Sequence, residues 1–174
     1  MQVFGLAGWS GSGKTTLMTR LLPALLPRGV SVSTIKHAHH AFDVDQPGKD
    51  SYRHREAGAT EVMISSENRW ALMHELRGAA EPSLDELLRH MSPVDLVIVE
   101  GFKRAAVPKL EIYRASVGKP LLAPGDSTIV ALASDLPVEG IGTLRRFALD
   151  DVGAIADFII DHLHIAVPQR GAAQ

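Results

Sequence analysis

Residues 8–16 read GWSGSGKTT, placed between the apolar run VFGLA at residues 3–7 and the run LMTRLL at residues 17–22. The spacing is G-x-x-x-x-G-K-[ST], with Gly8, Gly13, Lys14 and Thr15 in the fixed places. In such a loop, successive backbone N–H groups turn inward onto phosphate oxygens, and bulky side chains would block that approach. A helix starting at Lys14 adds the positive end of its dipole, the Lys14 ammonium can bridge the outer phosphates, and Thr15 supplies a hydroxyl to Mg²⁺. A Gly/Ser-rich turn can match so short a pattern by accident. Here a strand precedes the loop, an amphipathic helix follows, and a second strand comes next, so the context predicts a nucleoside triphosphate site. Its residues are Gly8, Trp9, Ser10, Gly11, Ser12, Gly13, Lys14, Thr15 and Thr16.

Bulk properties bound what surrounds this loop. The 174 residues suffice for one domain with a full core. We expect a single domain over residues 1–164 and a frayed tail over 165–174. Hydrophobic residues make up 45% and charged residues 22%, an ordinary globular balance that argues against disorder. A formal charge of -2 predicts no general attraction to nucleic acid or to a membrane surface, so an anionic ligand must be met by local positive charge. With no cysteine there are no disulfides, thiolate zinc sites or cysteine nucleophiles, which fits a reducing compartment. No charged leader precedes the first strand, and no apolar run nears the roughly 18 residues of a spanning helix. The expected location is cytoplasmic.

Val-, Ile- and Leu-rich runs alternate with helical stretches, the pattern of a mostly parallel sheet with helices on both faces. Strands are predicted at residues 3–7, 30–35, 61–64, 70–74, 96–99, 110–113 and 129–133. Helices are predicted at about 14–26, with Pro23 bending or shortening it, at 50–57, from Ser83, where Glu86 completes a capping box, and at about 151–164. The fold class is α/β, P-loop NTPase-like, with some antiparallel edge strands.

Mg²⁺ on such a loop calls for an acid at the carboxyl end of a neighbouring strand. The segment DLVIVEGFK offers Asp95 and Glu100, about 16 Å apart along an extended strand and on opposite faces. Glu100 stands at the carboxyl end and is assigned to the site, whereas Asp95 is assigned to the turn that enters the strand. The polar segment KHAHHAFDVDQPGKDSYRHREAGA follows the second strand, where binding loops gather. Its His37, His39, His40, Asp43 and Asp45 could compose a transition-metal site. The simpler reading is that Lys36, Lys49, Arg53 and Arg55 meet anionic oxygens while Asp43 or Asp45 holds Mg²⁺ through water. Solvated loop charge is the bland alternative.

Together, GWSGSGKTTL, IKHAHH, DVDQPGKDSYRHREAGA and LVIVEGFK resemble the MobB family of molybdopterin-guanine dinucleotide biosynthesis adaptor proteins, over about residues 2–135. The D-x-D-x-P-G-K-D-S segment between the loop and V-E-G-F-K is the specific part. The resemblance implies a homodimeric GTP-binding protein with weak GTPase activity. It would assist the guanylyltransferase that attaches GMP to molybdopterin, with GTP and Mg²⁺ as cofactors. By motif, residues 8–16 hold the phosphates, Lys14 and Glu100 serve the reaction, and Thr15, Glu100 and Asp45 address Mg²⁺. Lys36, His37, Asp43, Asp45, Lys49, Asp50 and Arg53 form the family's other functional loop, a second-anion or switch segment.

One feature departs from many GTPases: the Asn-Lys-x-Asp tetrad is absent, and its nearest echo is Ser134-Asp135. The Asp135 carboxylate could accept from guanine N1 and N2, or cap the loop before Pro137. Two other function classes remain open on sequence. A small-metabolite kinase would use Asp43 or Asp45 as base and Arg53, Arg55 and Arg104 as a lid. A non-catalytic adaptor would bind nucleotide only to present a surface. Short apolar strands such as KLEIYR are expected to offer an edge for dimer pairing.

Overall fold

A computed structural model describes residues 1–38 and 42–167. The chain divides into two compact units, Met1–His37 with Ser92–Gln174, and Ala38–Met91.

The larger unit is built on a six-stranded sheet. Its strands are β1 (Gln2–Ala7), β2 (Val32–Lys36), β5 (Leu96–Glu100), β6 (Lys109–Tyr113), β7 (Ile129–Ser134) and β8 (Arg145–Ala148). They lie in the order β2-β5-β1-β6-β7-β8, and every pair is parallel. Parallel neighbours need long crossovers; the one from β1 to β2 carries α1 (Lys14–Leu25), and α4 (Val152–His162) follows the last strand, β8. Both helices cover one face. Leu17, Met18, Leu21 and Leu25 of α1 join Ile155, Ala156 and Ile159 of α4 over Phe4, Leu6, Leu96, Ile98, Leu110 and Ile112. Each such side chain contributes roughly 1.5–3 kcal/mol on burial. The surface ion pairs beside this seam, Arg20 of α1 with Asp150 just before α4 and Arg28 just past α1 with Asp157 of α4, both at 2.6 Å, add about 1 kcal/mol or less each. The apolar seam therefore holds the helices. Pro23 neither ends nor shortens α1: the ladder resumes at Leu26, whose N–H donates to Leu22.

β5 shows why its sequence reads as a continuous apolar run: Leu96, Val97, Ile98 and Val99 are all buried, on both faces. Strand β8 escapes sequence reading, because of its four residues only Phe147 is buried. KLEIYR is corrected as a pairing edge. β6 runs between β1 and β7, hydrogen-bonded on both sides, and the sheet's edges are β2 and β8.

The smaller unit holds α2 (Asp50–Glu56), β3 (Glu61–Ser65), β4 (Trp70–His74) and α3 (Leu84–Arg89). β3 and β4 pair antiparallel as a separate two-stranded sheet. The antiparallel strands therefore form a hairpin and not an edge of the large sheet; residues 66–69, closed by Ser66 N–H to the Arg69 carbonyl at 2.9 Å, are too short for a crossover. The capping box opens α3 as its sequence predicts: Ser83 Oγ accepts from the Glu86 N–H, and Glu86 accepts from the Ser83 N–H at 2.7 Å.

Candidate functional site

The loop 8–16 connects the carboxyl end of β1 to the start of α1. Two glycines make its path possible. Gly8 has φ +145°, and a Cβ there would lie 2.5 Å from the Ile112 carbonyl oxygen and 2.6 Å from Ser12 Oγ. Gly11 has φ +81°, with open space where its Cβ would stand. The α1 amino terminus has no side-chain cap and no acidic residue in its first turn. Its N–H groups and dipole thus face a site without a built-in anion.

Lys14 folds back over the loop, donating through Nζ to the carbonyls of Gly8 and Trp9, both at 3.0 Å. An ammonium carries three donors, so one is left to turn outward. Burial lowers its proton affinity, the Glu100 carboxylate pulls it back up, and the Lys103 and Lys36 ammoniums lower it further. Three ammoniums thus act on one place with one carboxylate. Glu100 ends β5 in register with Leu6 of β1 and Lys36 of β2, at the same carboxyl edge as the loop. Asp95 stands at the opposite end of β5, bound to Ser31. The Ser12 hydroxyl is buried with no hydrogen-bond partner, beside Gly8 where the loop leaves β1. These observations fit the phosphates of a nucleotide.

Two straps that sequence reasoning missed brace the loop from outside. Arg114, just past β6, donates from Nε to the Ser12 carbonyl at 3.1 Å. Trp9 donates its indole N–H to the Pro120 carbonyl at 2.7 Å. The 120–123 segment is itself anchored, since the fully buried Glu111 accepts from the N–H groups of Leu122 at 2.7 Å and Ala123 at 2.9 Å. Burial pushes the Glu111 carboxyl up, those two bonds pull it back, and the Asp126 carboxylate adds to the rise. Beside it, buried Lys109 donates to the Ala105 carbonyl at 2.7 Å, to Asp126 at 3.3 Å and to the Thr128 hydroxyl. The Lys103 and Lys119 ammoniums lie 5.5 and 5.9 Å from the centre of the Trp9 ring, within cation–π reach. The signal for Arg114 was available: it is a charged residue immediately past a buried strand, the criterion that selected Glu100.

A family model described as "Molybdopterin guanine dinucleotide synthesis protein B" matches residues 3–135. The chain belongs to the MobB family. It is similar to the molybdopterin-guanine dinucleotide biosynthesis adapter protein of Escherichia coli (strain K12), 42% identical over 158 residues that cover 89% of each chain. The protein of that name from Haemophilus influenzae is 42% identical over 164 residues, covering 93% of this chain and 89% of the relative. Among solved structures, one of molybdopterin-guanine biosynthesis protein B superposes with a TM-score of 0.73 at 32% identity, over 93% of this chain and 99% of that one. The MobB match bears out the resemblance and the α/β, P-loop NTPase-like fold.

The other MobB-like segment falls mainly in the smaller unit. Lys36 and His37 belong to the larger unit, where the His37 N–H donates to the Glu100 carbonyl at 2.8 Å. His39 and His40 lie outside the described residues. Arg55 is engaged by carboxylates of its own unit. Its guanidinium binds Asp43 at 2.8 Å, Glu75 at 3.0 Å and Asp45 at 3.3 Å. Those hydrogen bonds, first with Asp43, hold its protonation well above the usual arginine value. Asp45, its side chain 4% exposed, also accepts from Ser51 Oγ at 2.8 Å and the Gln46 N–H at 2.9 Å. Asp43, Asp45 and Arg55 thus form one ion-paired cluster. Lys49, Asp50 and Arg53 are exposed and form no ion pair among the described residues. No group of three or more His, Cys, Asp or Glu poised for a metal occurs among the described residues. Asp135, past β7, accepts from the Ala115 N–H at 3.4 Å.

Proposed function

We propose that this protein binds GTP with Mg²⁺ at residues 8–16 and serves as an adaptor in molybdopterin-guanine dinucleotide biosynthesis. It would raise the yield of the guanylyltransferase that joins GMP to molybdopterin. The observation that carries this reading is the Lys14 ammonium folded over a glycine cradle at the carboxyl edge of a parallel sheet, in a chain of the MobB family. Thr15 and Glu100 would hold Mg²⁺ from the same edge, the ion offsetting phosphate charge when bound. Asp45 is assigned to Mg²⁺ through water, and its bonds to Ser51, Gln46 and Arg55 also close its own loop. Asp135 is assigned to guanine. The segment Lys49, Asp50 and Arg53 is assigned to a second anion such as the pterin phosphate, with support from the exposure and positive charge of Lys49 and Arg53. Without an arginine finger, hydrolysis is expected at roughly 10⁻⁴ to 10⁻² per second, secondary to binding.

The homodimer is also a proposal, and the hairpin supports it. In the β3–β4 register, Met63 opposes Leu72 and Ser65 opposes Trp70 on one face. Met63 is 61% and Trp70 62% exposed, a cost to a monomer in water that a second copy would remove.

The test is a reconstituted reaction of guanylyltransferase, molybdopterin, Mg²⁺ and GTP, with this protein as wild type, Lys14→Ala, or Lys49→Ala with Arg53→Ala. Wild type should raise dinucleotide yield, and both variants should lose the gain although the loop variant still binds GTP. Equal GTP binding by wild type and Lys14→Ala would overturn the nucleotide reading. Full stimulation by the loop variant would reduce that loop to a scaffold.

A further inference from the structure

Arg114 touches two places that the proposed function uses separately. Its Nε donates to the Ser12 carbonyl at 3.1 Å, and its Nη1 lies 3.8 Å from Asp135 Oδ2. A Cβ on Gly13 would stand 3.3 Å from Arg114 Nε, so the guanidinium lies against the loop's backbone. The Ser12 carbonyl and the Gly13 N–H belong to one trans peptide and point in opposite directions. Holding the carbonyl outward therefore aims the N–H inward, to the side on which a phosphate cradle converges.

The Asp135 end of this contact is loose. Its carboxylate meets Ala115 N–H at 3.4 Å and Arg114 at 3.8 Å, both long for charge-assisted bonds. A carboxylate has about four acceptor sites, so two adjacent N–H donors of a base can be taken up while Arg114 stays opposite. The strand ends of β6 and β7 and the phosphate loop thus meet at one guanidinium.

We propose that Arg114 is a positioning and specificity residue that couples base recognition at Asp135 to the shape of the phosphate loop. A purine presenting two neighbouring donors, as guanine does at N1 and N2, steadies Asp135, which steadies Arg114 and hence the Ser12–Gly13 peptide. The inference rests on the GTP-binding reading above.

Binding of GTP, ATP and inorganic tripolyphosphate, each with Mg²⁺, to wild type, Lys14→Ala, Arg114→Gln, Arg114→Lys, Asp135→Asn and the Arg114→Gln/Asp135→Asn double variant tests it. Thermal melts confirm folding, and Arg114→Lys keeps the charge should Arg114→Gln fail to fold. Arg114→Gln should weaken GTP roughly tenfold, the loss expected for a charge-assisted bond, and weaken tripolyphosphate less. The GTP-to-ATP ratio should collapse equally in Arg114→Gln, Asp135→Asn and the double variant, because a single coupling is being broken. Arg114→Lys should retain part of the ratio. An unchanged ratio in Arg114→Gln, or fully additive losses in the double variant, would overturn the coupling. So would a wild type that binds GTP and ATP alike, and in that case tripolyphosphate binding lost only in Lys14→Ala would leave the phosphate site standing.

Discussion

Asp95 and Ser31 close the amino edge of the sheet with a reciprocal clip. The carboxylate accepts from the Ser31 N–H at 2.8 Å and hydroxyl at 2.6 Å, while Ser31 Oγ accepts from the Asp95 N–H at 2.9 Å. Glu100, five positions along, sits at the other edge beside the phosphate loop's strand. One short strand thus carries an acid for each end.

Asp95→Asn should lower stability and leave Mg²⁺-dependent nucleotide binding near wild type, whereas Glu100→Gln should do the reverse. Calorimetric melts and titration with GTP and Mg²⁺ separate the two effects. Equal losses of binding would show that the acid at the wrong end had been assigned to the metal.

Arg55 and its three carboxylates predict a pH response in the smaller unit. Hydrogen bonds from Arg55, and then from the Asp45 N–H, hold Asp43 below its usual range. For Asp45, burial opposes the shift, but bonds from Ser51, Gln46 and Arg55 outweigh it. Both folded pKa values therefore lie below the unfolded value of about 3.9. Their stabilisation is complete above that pH and is lost as pH falls through the folded values. Hydrogen exchange should show amides of α2 and β3 losing protection below about pH 4. In Arg55→Met these amides should exchange faster at neutral pH, with a flatter acid response. An unchanged acid profile would show that the clamp does not hold this unit.

The hairpin face predicts self-association. If Met63, Leu72 and Trp70 are covered by a second copy, Met63→Glu with Trp70→Glu should shift the mass measured by light scattering from two chains to one at micromolar concentration. A wild-type monomer, or a dimer that survives both charges, would move the interface elsewhere.

The larger unit's architecture was legible where burial is continuous. Leu96 to Val99 and Val3 to Ala7 announce themselves because a strand buried on both faces needs apolar residues at nearly every position. α4 is legible from Val152, Ile155, Ala156, Ile159 and Ile160, a 3.6-residue stripe that packs as read. β8 was not, since a lone inward Phe147 creates no period. KLEIYR misled for the opposite reason. A short apolar strand reads alike at an edge or inside a sheet, and the buried Lys109 and Glu111, paired with loop backbone, belong to a tertiary arrangement that local pattern does not encode. Arg55 was read as an anion ligand because charge in sequence carries no sign of its neighbours. The carboxylates that claim it come from positions 43, 45 and 75.

The phosphate loop itself predicts a contrast between two glycines. Gly11→Ala meets no heavy atom within 4 Å and has φ +81°, so its cost is that of a left-handed alanine, roughly 1–2 kcal/mol. In a chain of this size that corresponds to a melting shift of about 2–8 °C. Gly8→Ala would drive a methyl to 2.5 Å from the Ile112 carbonyl and 2.6 Å from Ser12 Oγ. Ser12 Oγ can rotate away, but the Ile112 carbonyl belongs to the interior strand β6 and cannot yield without disturbing the sheet. Gly8→Ala should therefore melt well below Gly11→Ala and lose triphosphate binding even at temperatures where it stays folded, because the loop must leave β1 by another path. Thermal melts paired with tripolyphosphate titration check both. If Gly8→Ala melts no lower than Gly11→Ala, the close packing of the loop's start against β6 is not what shapes the cradle.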